Sequence, residues 1–187
     1  MSSWVFARNK SRLVSILYYI SISGILIPPA IVSTIKLLKT LHVYGSYIGI
    51  IVFYIGVFMS FAIFFMTGFI KTIPLDLEEA AIIDGCNSIQ VFFKIIFPLL
   101  KPILFTAGVF LVLFIWNDFI HPFYLLRSSN QWTMTMGLVY FASTYLHQMS
   151  WNLIFADVIL VSLPLFIFYI FAQRKVLSGI MGGAIKG

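Results

Sequence analysis

The chain has 187 residues, of which 61% are hydrophobic and only 10% charged, with a net charge of +6 and a mean hydropathy of +1.03. These values lie far outside the range of soluble domains, so we predict an integral membrane protein with room for about four or five spans. The single Cys86 excludes an internal disulfide and a cysteine metal site. The three histidines, His42, His121 and His147, lack the spacing of metal ligands.

The basic residues are distributed as in a membrane protein and do not suggest a nucleic-acid partner. We predict spans at about 13–35, 46–70, 99–120 and 151–173. One side of the membrane then receives nine basic residues and the other receives three, which places the loop at 73–98 and the C-terminus in the cytoplasm by the positive-inside rule. The first set is Arg8, Lys10, Arg12, Lys71, Lys94, Lys101, Arg174, Lys175 and Lys186, and the second is Lys36, Lys39 and Arg127.

The N-terminal residues do not have the order of a secretion signal, because the apolar patch Trp4 to Ala7 precedes the basic residues instead of following them. The first span contains Pro28 and Pro29, where lost backbone hydrogen bonds predict a kink. Such a kink would either line a translocation pathway or only fit the packing of neighbouring helices.

The loop at 73–98 holds four of the six acidic residues and is the one long segment unsuited to lipid. Pro74 favours the start of a helix whose first turn carries Asp76, Glu78 and Glu79 at the positive end of the helix dipole. Leu77, Ala80 and Ala81 share one face of this helix, and Gly85 is suited to the left-handed turn that ends it.

A second helix is predicted directly after this corner. Asn87 with Gln90 three residues later has the pattern of a capping box. Pro98 and Pro102 are expected to break or bend the chain that follows. The predicted apolar stripe of this helix consists of Ile89, Phe92, Phe93 and Ile96.

At these spacings the loop resembles the EAA loop of the membrane-spanning permease subunits of ABC importers, most closely the sugar-importer branch similar to the maltose permease subunit. One departure is Cys86, where the family usually has alanine. The residues that carry the resemblance are Glu79, Ala80, Ala81, Asp84, Gly85, Phe92, Ile95 and Pro98.

The resemblance implies an all-α transmembrane bundle over residues 1–187, with cytoplasmic coupling helices that dock in a groove of a separate ATP-binding subunit. It also implies a second permease subunit and an extracellular solute-binding protein as partners. Glu79 would hold the ATP-binding subunit by charge-assisted hydrogen bonds, Ala80 and Ala81 would allow close approach, and Gly85 would make the corner. Motion of the ATP-binding subunits would then rock the spans between inward and outward access.

Polar residues near two spans are candidates for the translocation path. The third span ends in Trp116, Asn117 and Asp118. These residues would face the translocation path or a docked binding protein; the alternative is that they anchor the helix at the membrane interface. Asp157 falls within the last span, where an acidic residue indicates a functional site, although a pair with a polar neighbour is the other interpretation.

The C-terminal segment, with Gly182, Gly183 and Lys186, resembles the tail that contacts the ATP-binding subunits in the sugar branch; the alternative is a disordered basic tail near anionic lipid. Full members of this branch are expected to have six spans, and here the first and most of the second are absent, with Trp4 to Ala7 as a stub of the second. The chain would then be a truncated copy, a product of a start codon assigned too late, or a natural short form.

No catalytic motif, cofactor site or phosphate-binding loop occurs in the sequence, so we predict a transport subunit and not an enzyme. Three hypotheses follow. The first is a carbohydrate importer permease, the second is a permease for another solute such as an amino acid or peptide, and the third is a membrane fragment that does not transport.

Overall fold

The computed structural model describes residues 1–146 and 150–184, which are predominantly helical, with one isolated bridge between Gly45 and Leu126. A π-helical turn at Phe92–Ile96 and a 3₁₀ turn at Ser129–Gln131 complete the regular structure of this part of the chain. The α-helices are α1 Ser2–Arg8, α2 Arg12–Ser23, α3 Ile31–Thr40, α4 Tyr47–Thr72, α5 Asp76–Ile83, α6 Ser88–Val91, α7 Phe97–Asn117, α8 Ile120–Leu125, α9 Met134–Leu146 and α10 Trp151–Ala184.

Three helical segments of the described chain are long and apolar enough to cross a membrane. They are Tyr47–Thr72 with 26 residues, the continuous run Ser88–Asn117 with 30, and Trp151–Gln173 with 23. At about 1.5 Å per residue, each exceeds the roughly 30 Å thickness of the hydrocarbon layer. The second, third and fourth predicted spans therefore correspond to helices of sufficient length.

The first predicted span differs from the expectation of a single kinked helix. It forms α2 with 12 residues and α3 with 10, separated by the stretch that contains Pro28 and Pro29. Proline lacks the N–H that would continue the helix, and it disfavours the α conformation in the residue before it, so two adjacent prolines interrupt the helix outright. Neither piece alone reaches the length of a span.

The described chain divides into two compact units. The first comprises Met1–Pro28, Val57–Val109 and the residues from Arg174 onward, and the second comprises Pro29–Gly56 and Phe110–Gln173. The chain passes between the units four times, once within or at the end of each of the four predicted spans. The interrupted α2–α3 segment therefore connects the two units just as the uninterrupted helices do.

A buried apolar cluster in the first unit anchors the loop that follows α4. Ile96 and Ile70 are 0% and 1% exposed, and full burial of such a side chain contributes about 1.5–3 kcal/mol. The cluster joins the end of α4 to the π turn and the start of α7, so it fixes both ends of the loop. Its buried members are Met66, Ile70, Ile73, Phe92, Ile96, Leu100 and Ala107, with Trp4, Ala7, Phe69 and Ile103 packed against them.

Of the two effects predicted for Pro98 and Pro102, a break or a bend, the break does not occur, because α7 continues past both prolines. Pro98 is the second residue of α7, and Pro102 lies inside it. Directly before Pro98, the N–H of Phe97 donates to the carbonyl of Phe92, five residues back, as in a π-helical turn. The wider turn lies where Pro98 removes a hydrogen-bond donor, and the helix continues through it.

Candidate functional site

The first loop helix, α5, has the predicted start and end. Asp76, Glu78 and Glu79 occupy its first turn, where carboxylates stabilise the positive end of the helix dipole. At the other end Gly85 has φ of +84°, and its N–H donates to the carbonyl of Ile82. The N–H of Cys86 donates to the carbonyl of Ala81 at 2.9 Å. This pair of bonds is the Schellman arrangement, so a glycine is favoured at this corner by the backbone conformation itself.

The second loop helix begins with the predicted capping box. The N–H of Gln90 donates to Oδ1 of Asn87 at 2.9 Å, and the N–H of Asn87 donates to Oε1 of Gln90 at the same distance. These reciprocal bonds satisfy backbone donors that the first helical turn would leave free. The short helix α6 is thereby fixed directly after the Gly85 corner.

The buried face of α5 consists of Glu78 and Ala81. Glu78 and Ala81 are each 6% exposed, whereas Leu77 is 46% exposed and Ala80 is also exposed. The face toward the protein is therefore built on an acidic residue and a small one, three positions apart. Of the three residues predicted to share a face, Ala81 lies on the buried side, whereas Leu77 and Ala80 are exposed.

Glu78 is buried because both of its carboxylate oxygens are bound by α1. The Trp4 indole N–H donates to Oε2 at 3.0 Å, and Nε of Arg8 donates to Oε1 at 2.8 Å. Nη2 of Arg8 lies 2.7 Å from the same Oε1 and donates to the carbonyl of Ile73 at 2.8 Å. A buried carboxylate needs such pairing, since an unpaired charge in the interior is very costly.

The outward face of α5 consists of exposed residues of mixed character. Glu79, Ala80 and Ile83 lie on the side away from Glu78 and Ala81, and Ile83 is 85% exposed. The Glu79 carboxylate has no hydrogen bond or ion pair with the described residues, and Asp84 at the end of the helix is exposed as well. This face thus combines an exposed apolar residue, a small residue and carboxylates without a partner among the described residues.

The remaining residues of the predicted loop site take different positions. Phe92 is buried in the cluster of the first unit, with its ring centroid 5.9 Å from that of Trp4. Ile95 is half-buried, and Pro98 is exposed. Phe92 therefore supports the loop from within and has no access to an outside partner, while Pro98 remains on the surface.

A match to the family described as "Binding-protein-dependent transport system inner membrane component" covers residues 1–180. The chain belongs to this family. The prediction that the chain is an importer permease subunit with a role in transport is thereby confirmed.

Several curated relatives of this permease are sugar transporters by description. The chain is 34% identical over 188 residues to the probable starch degradation products transport system permease protein AmyC of Thermoanaerobacterium thermosulfurigenes. It is 29% identical over 190 residues to the melibiose/raffinose/stachyose import permease protein MelC of Bacillus subtilis. Each match covers 100% of this chain and 68% of the relative, so the permease spans about two thirds of their length. The predicted sugar-importer branch is confirmed by these relatives.

The fold also matches a solved structure, a bacterial ABC transporter involved in the import of the acidic polysaccharide alginate. The TM-score is 0.73 at 21% identity, and the match covers 92% of this chain and 65% of the other. At this identity the likeness establishes the fold alone. The predicted all-α permease bundle is confirmed by it.

In the second unit of the permease, Asp118 is the centre of a polar cluster that the sequence did not indicate. Its Oδ2 accepts from the Tyr54 hydroxyl at 2.9 Å and lies 2.7 Å from Nδ1 of His121. Its Oδ1 accepts from the N–H of His121, whose ring lies 4.6 Å from that of Phe53. Asp118 thus connects α4 to the start of α8 within this unit.

Trp116 and Asn117 have separate positions beside this cluster. The Asn117 amide donates to the carbonyl of Leu113 in its own helix and makes no hydrogen bond to Asp118 or its partners among the described residues. The carbonyl of Trp116 accepts from the Thr135 hydroxyl at 2.8 Å, and its side chain lines a cavity of about 420 Å³ together with Trp132 and Thr133. The three predicted neighbours therefore do not form one site.

Removal of the Asp118 carboxylate should destabilise the permease. Asp118→Ala removes the partly buried hydrogen bonds from the Tyr54 hydroxyl and the His121 ring to the carboxylate, and a hydrogen bond to a charged group contributes about 1.5–3 kcal/mol. We expect a lower thermal unfolding temperature of the purified chain in detergent, whereas Asn117→Ala should change it little. Equal unfolding temperatures for Asp118→Ala and the native chain would show that the cluster adds no stability.

Asp157 in α10 is half-buried and has no polar partner among the described residues. Ile154 and Val161, three positions before it and four after it, are 9% and 7% exposed. Residues at these spacings share a helix face, so Asp157 lies on the buried side of α10. The interpretation of Asp157 as one half of a polar pair finds no support in the described residues.

The predicted contact residues of the tail lie at the end of the chain. Gly182 and Gly183 fall within α10, which extends to Ala184. Lys186 lies outside the described residues. The role of this segment stays a prediction.

Proposed function

We propose that this chain is the membrane-spanning subunit of a carbohydrate importer, and that the outward face of α5 docks on a separate ATP-binding subunit in the cytoplasm. A second permease subunit and an extracellular solute-binding protein complete the proposed transporter. The family and the sugar-transporting relatives support this proposal. The alternative of an amino acid or peptide importer is not favoured by them.

The observation that carries the docking proposal is the composition of the outward face of α5. Ile83 is 85% exposed in a helix that also presents Glu79 and Asp84. Insertion of this face into lipid would be favourable for the isoleucine but costly for the carboxylates. Exposure to water solvates the carboxylates but leaves the apolar surface of the isoleucine unburied. A protein surface with an apolar pocket and a basic rim suits all of these residues, and burial of Ile83 there would contribute about 1.5–3 kcal/mol.

On this face we assign roles to two of the predicted coupling residues, Glu79 and Ala80. Glu79 is exposed and unpaired among the described residues, so it is available for a charge-assisted hydrogen bond to an arginine or lysine of the ATP-binding subunit. Ala80 is exposed beside it and lets the partner approach the helix backbone closely. ATP hydrolysis belongs to the partner in this proposal, and the permease supplies the mechanical connection to the spans.

The cytoplasmic position of the loop has a direct test in the native sequence. Cys86 is the chain's only cysteine, and it is half-buried next to the Gly85 corner. A membrane-impermeant maleimide should label it in inside-out vesicles and not in intact cells. The Cys86→Ser variant should remain unlabelled in both preparations, and labelling of the native chain from the outside would contradict the proposed orientation.

The solute class is tested in the assembled transporter. Vesicles that contain this chain together with its partner subunits and binding protein should take up oligosaccharides when ATP is supplied, as the relatives' descriptions suggest. Uptake of amino acids or peptides in place of sugars would overturn the carbohydrate assignment. The uptake must depend on ATP, since the proposal couples the two.

A further inference from the structure

We propose that Trp4, Arg8 and Glu78 form an interhelical clamp that sets the orientation of α5, and that Arg8 and Trp4 are positioning residues for the coupling of ATP hydrolysis to transport. The coupling part of this inference rests on the proposed function. The clamp itself is a property of the chain alone and is tested separately below.

The clamp joins three backbone segments through one arginine. Arg8 in α1 binds Glu78 in the first turn of α5 with Nε at 2.8 Å and Nη2 at 2.7 Å. Its Nη2 also donates to the carbonyl of Ile73, directly after the end of α4, at 2.8 Å. The planar guanidinium holds these acceptors in a fixed geometry, which a lysine ammonium would not reproduce. The angle between the end of α4 and α5 is therefore fixed by Arg8.

Trp4 strengthens the clamp from the preceding turn of α1. Its indole N–H donates to Oε2 of Glu78, the oxygen that Arg8 does not bind. Its ring packs against Phe92, which belongs to the buried cluster of the first unit. Both carboxylate oxygens are thereby satisfied, and the clamp is connected to the core that anchors the loop.

The clamp is important for the orientation of α5 because this helix makes few other buried contacts. The helix has only eight residues, and isolated helices of that length are not stable in water. Of its residues only Glu78 and Ala81 are buried, and Ala81 contributes a small contact area. A force applied to the outward face would thus reach α1 and α4 through the pairing of Glu78 with Arg8 and Trp4.

The first experiment measures how firmly α5 is held in the chain without any partner, as the local opening of its backbone amides. Hydrogen–deuterium exchange of the α5 amides is compared in the full chain purified in detergent, for the native sequence, Arg8→Lys, Arg8→Gln and Trp4→Phe. Loss of a hydrogen bond to a charged group should raise α5 exchange by about tenfold in Arg8→Gln, with smaller increases in Arg8→Lys and Trp4→Phe. Lys10→Gln is the matched control, since Lys10 is exposed, lies outside the clamp and should leave exchange unchanged.

Trp4→Phe retains an aromatic ring against Phe92, and Arg8→Lys retains the charge opposite Glu78, so both are expected to fold. If Arg8→Gln fails to accumulate in the membrane, these two variants decide the result. Native exchange of α5 in both would overturn the clamp.

The second experiment measures coupling in the assembled transporter, as solute molecules imported per ATP hydrolysed. A clamp that only stabilises the fold would lower import and hydrolysis together and leave this ratio unchanged. We expect the ratio to fall by about tenfold in Arg8→Gln and by less in Arg8→Lys, as estimated from the loss of charge-assisted hydrogen bonds, with Lys10→Gln at the native ratio.

The two experiments separate this inference from the proposed function. An unchanged ratio despite faster α5 exchange would overturn the coupling role of the clamp. If the native transporter imports no carbohydrate at all, the proposed function fails, whereas the exchange measurement still decides whether the clamp holds α5.

Discussion

Replacement of Gly85 by valine is expected to lower solute import by about tenfold or more, while the ATP-binding subunits continue to hydrolyse ATP. Gly85 has φ of +84°, and no heavy atom lies within 4 Å of the place where a Cβ would be. The cost therefore comes from the backbone, since a left-handed conformation costs a non-glycine residue about 1–2 kcal/mol and a β-branched one more. Relief of this strain would turn α5 relative to α6 and misplace its outward face.

The control for this change uses the same position. Asn tolerates the left-handed conformation better than other side chains, so Gly85→Asn should keep most of the import that Gly85→Val loses. Import and ATP hydrolysis are measured in the same vesicles, and the amount of assembled complex is checked by co-purification. Native import per ATP in Gly85→Val would contradict the role of this corner in coupling.

The features of the loop that the sequence predicted are those with local causes. The acidic first turn of α5, the left-handed Gly85 and the Asn87–Gln90 capping box each involve residues within a few positions of one another. The helix dipole, the left-handed preference of glycine and helix capping all act within about one helical turn, so these features can be predicted from the sequence. The long apolar spans were predictable for a related reason, because composition alone decides them.

The role of Glu78 was missed because its partners lie far away in the sequence. Arg8 and Trp4 precede it by 70 and 74 positions, and no spacing rule joins α1 to α5. The sequence shows Glu78 and Glu79 as two similar carboxylates in one helical turn. Only the packing of α1 distinguishes them, by burying the first and leaving the second exposed.

The apolar stripe of the second loop helix was predicted on a regular helical period, and only two of its four residues lie on the buried side. Phe92 and Ile96 are buried, but Ile89 and Phe93 are 61% and 54% exposed. The π-helical turn at 92–96 changes the angular spacing from that of an α-helix, so the period used for the prediction does not apply there. The doubled proline at 28–29 had a similar effect on the first span, where a predicted kink is a complete interruption.

Asp157→Asn should reduce solute import by about tenfold, the effect expected when a hydrogen bond to a charged group is weakened in the pathway. Asp157 lies on the same side of α10 as the buried Ile154 and Val161, and it has no polar partner among the described residues. A charge in this position is costly and has no structural pairing to explain it, which favours contact with the solute or with water of the translocation path. Asparagine has nearly the same shape, so assembly should be unaffected.

The assay for Asp157 separates solute contact from packing. Import is measured over a range of solute concentrations in vesicles that contain equal amounts of assembled transporter, and the Asp157→Asn change should raise the half-saturating concentration or lower the maximal rate. Ser162→Ala is the control within α10, since among the described residues the exposed Ser162 hydroxyl donates only to the carbonyl of Val158 in its own helix. Because Asp157→Asn replaces the carboxyl group by an amide of nearly the same shape, native import by this variant would show that the carboxyl group has no part in translocation.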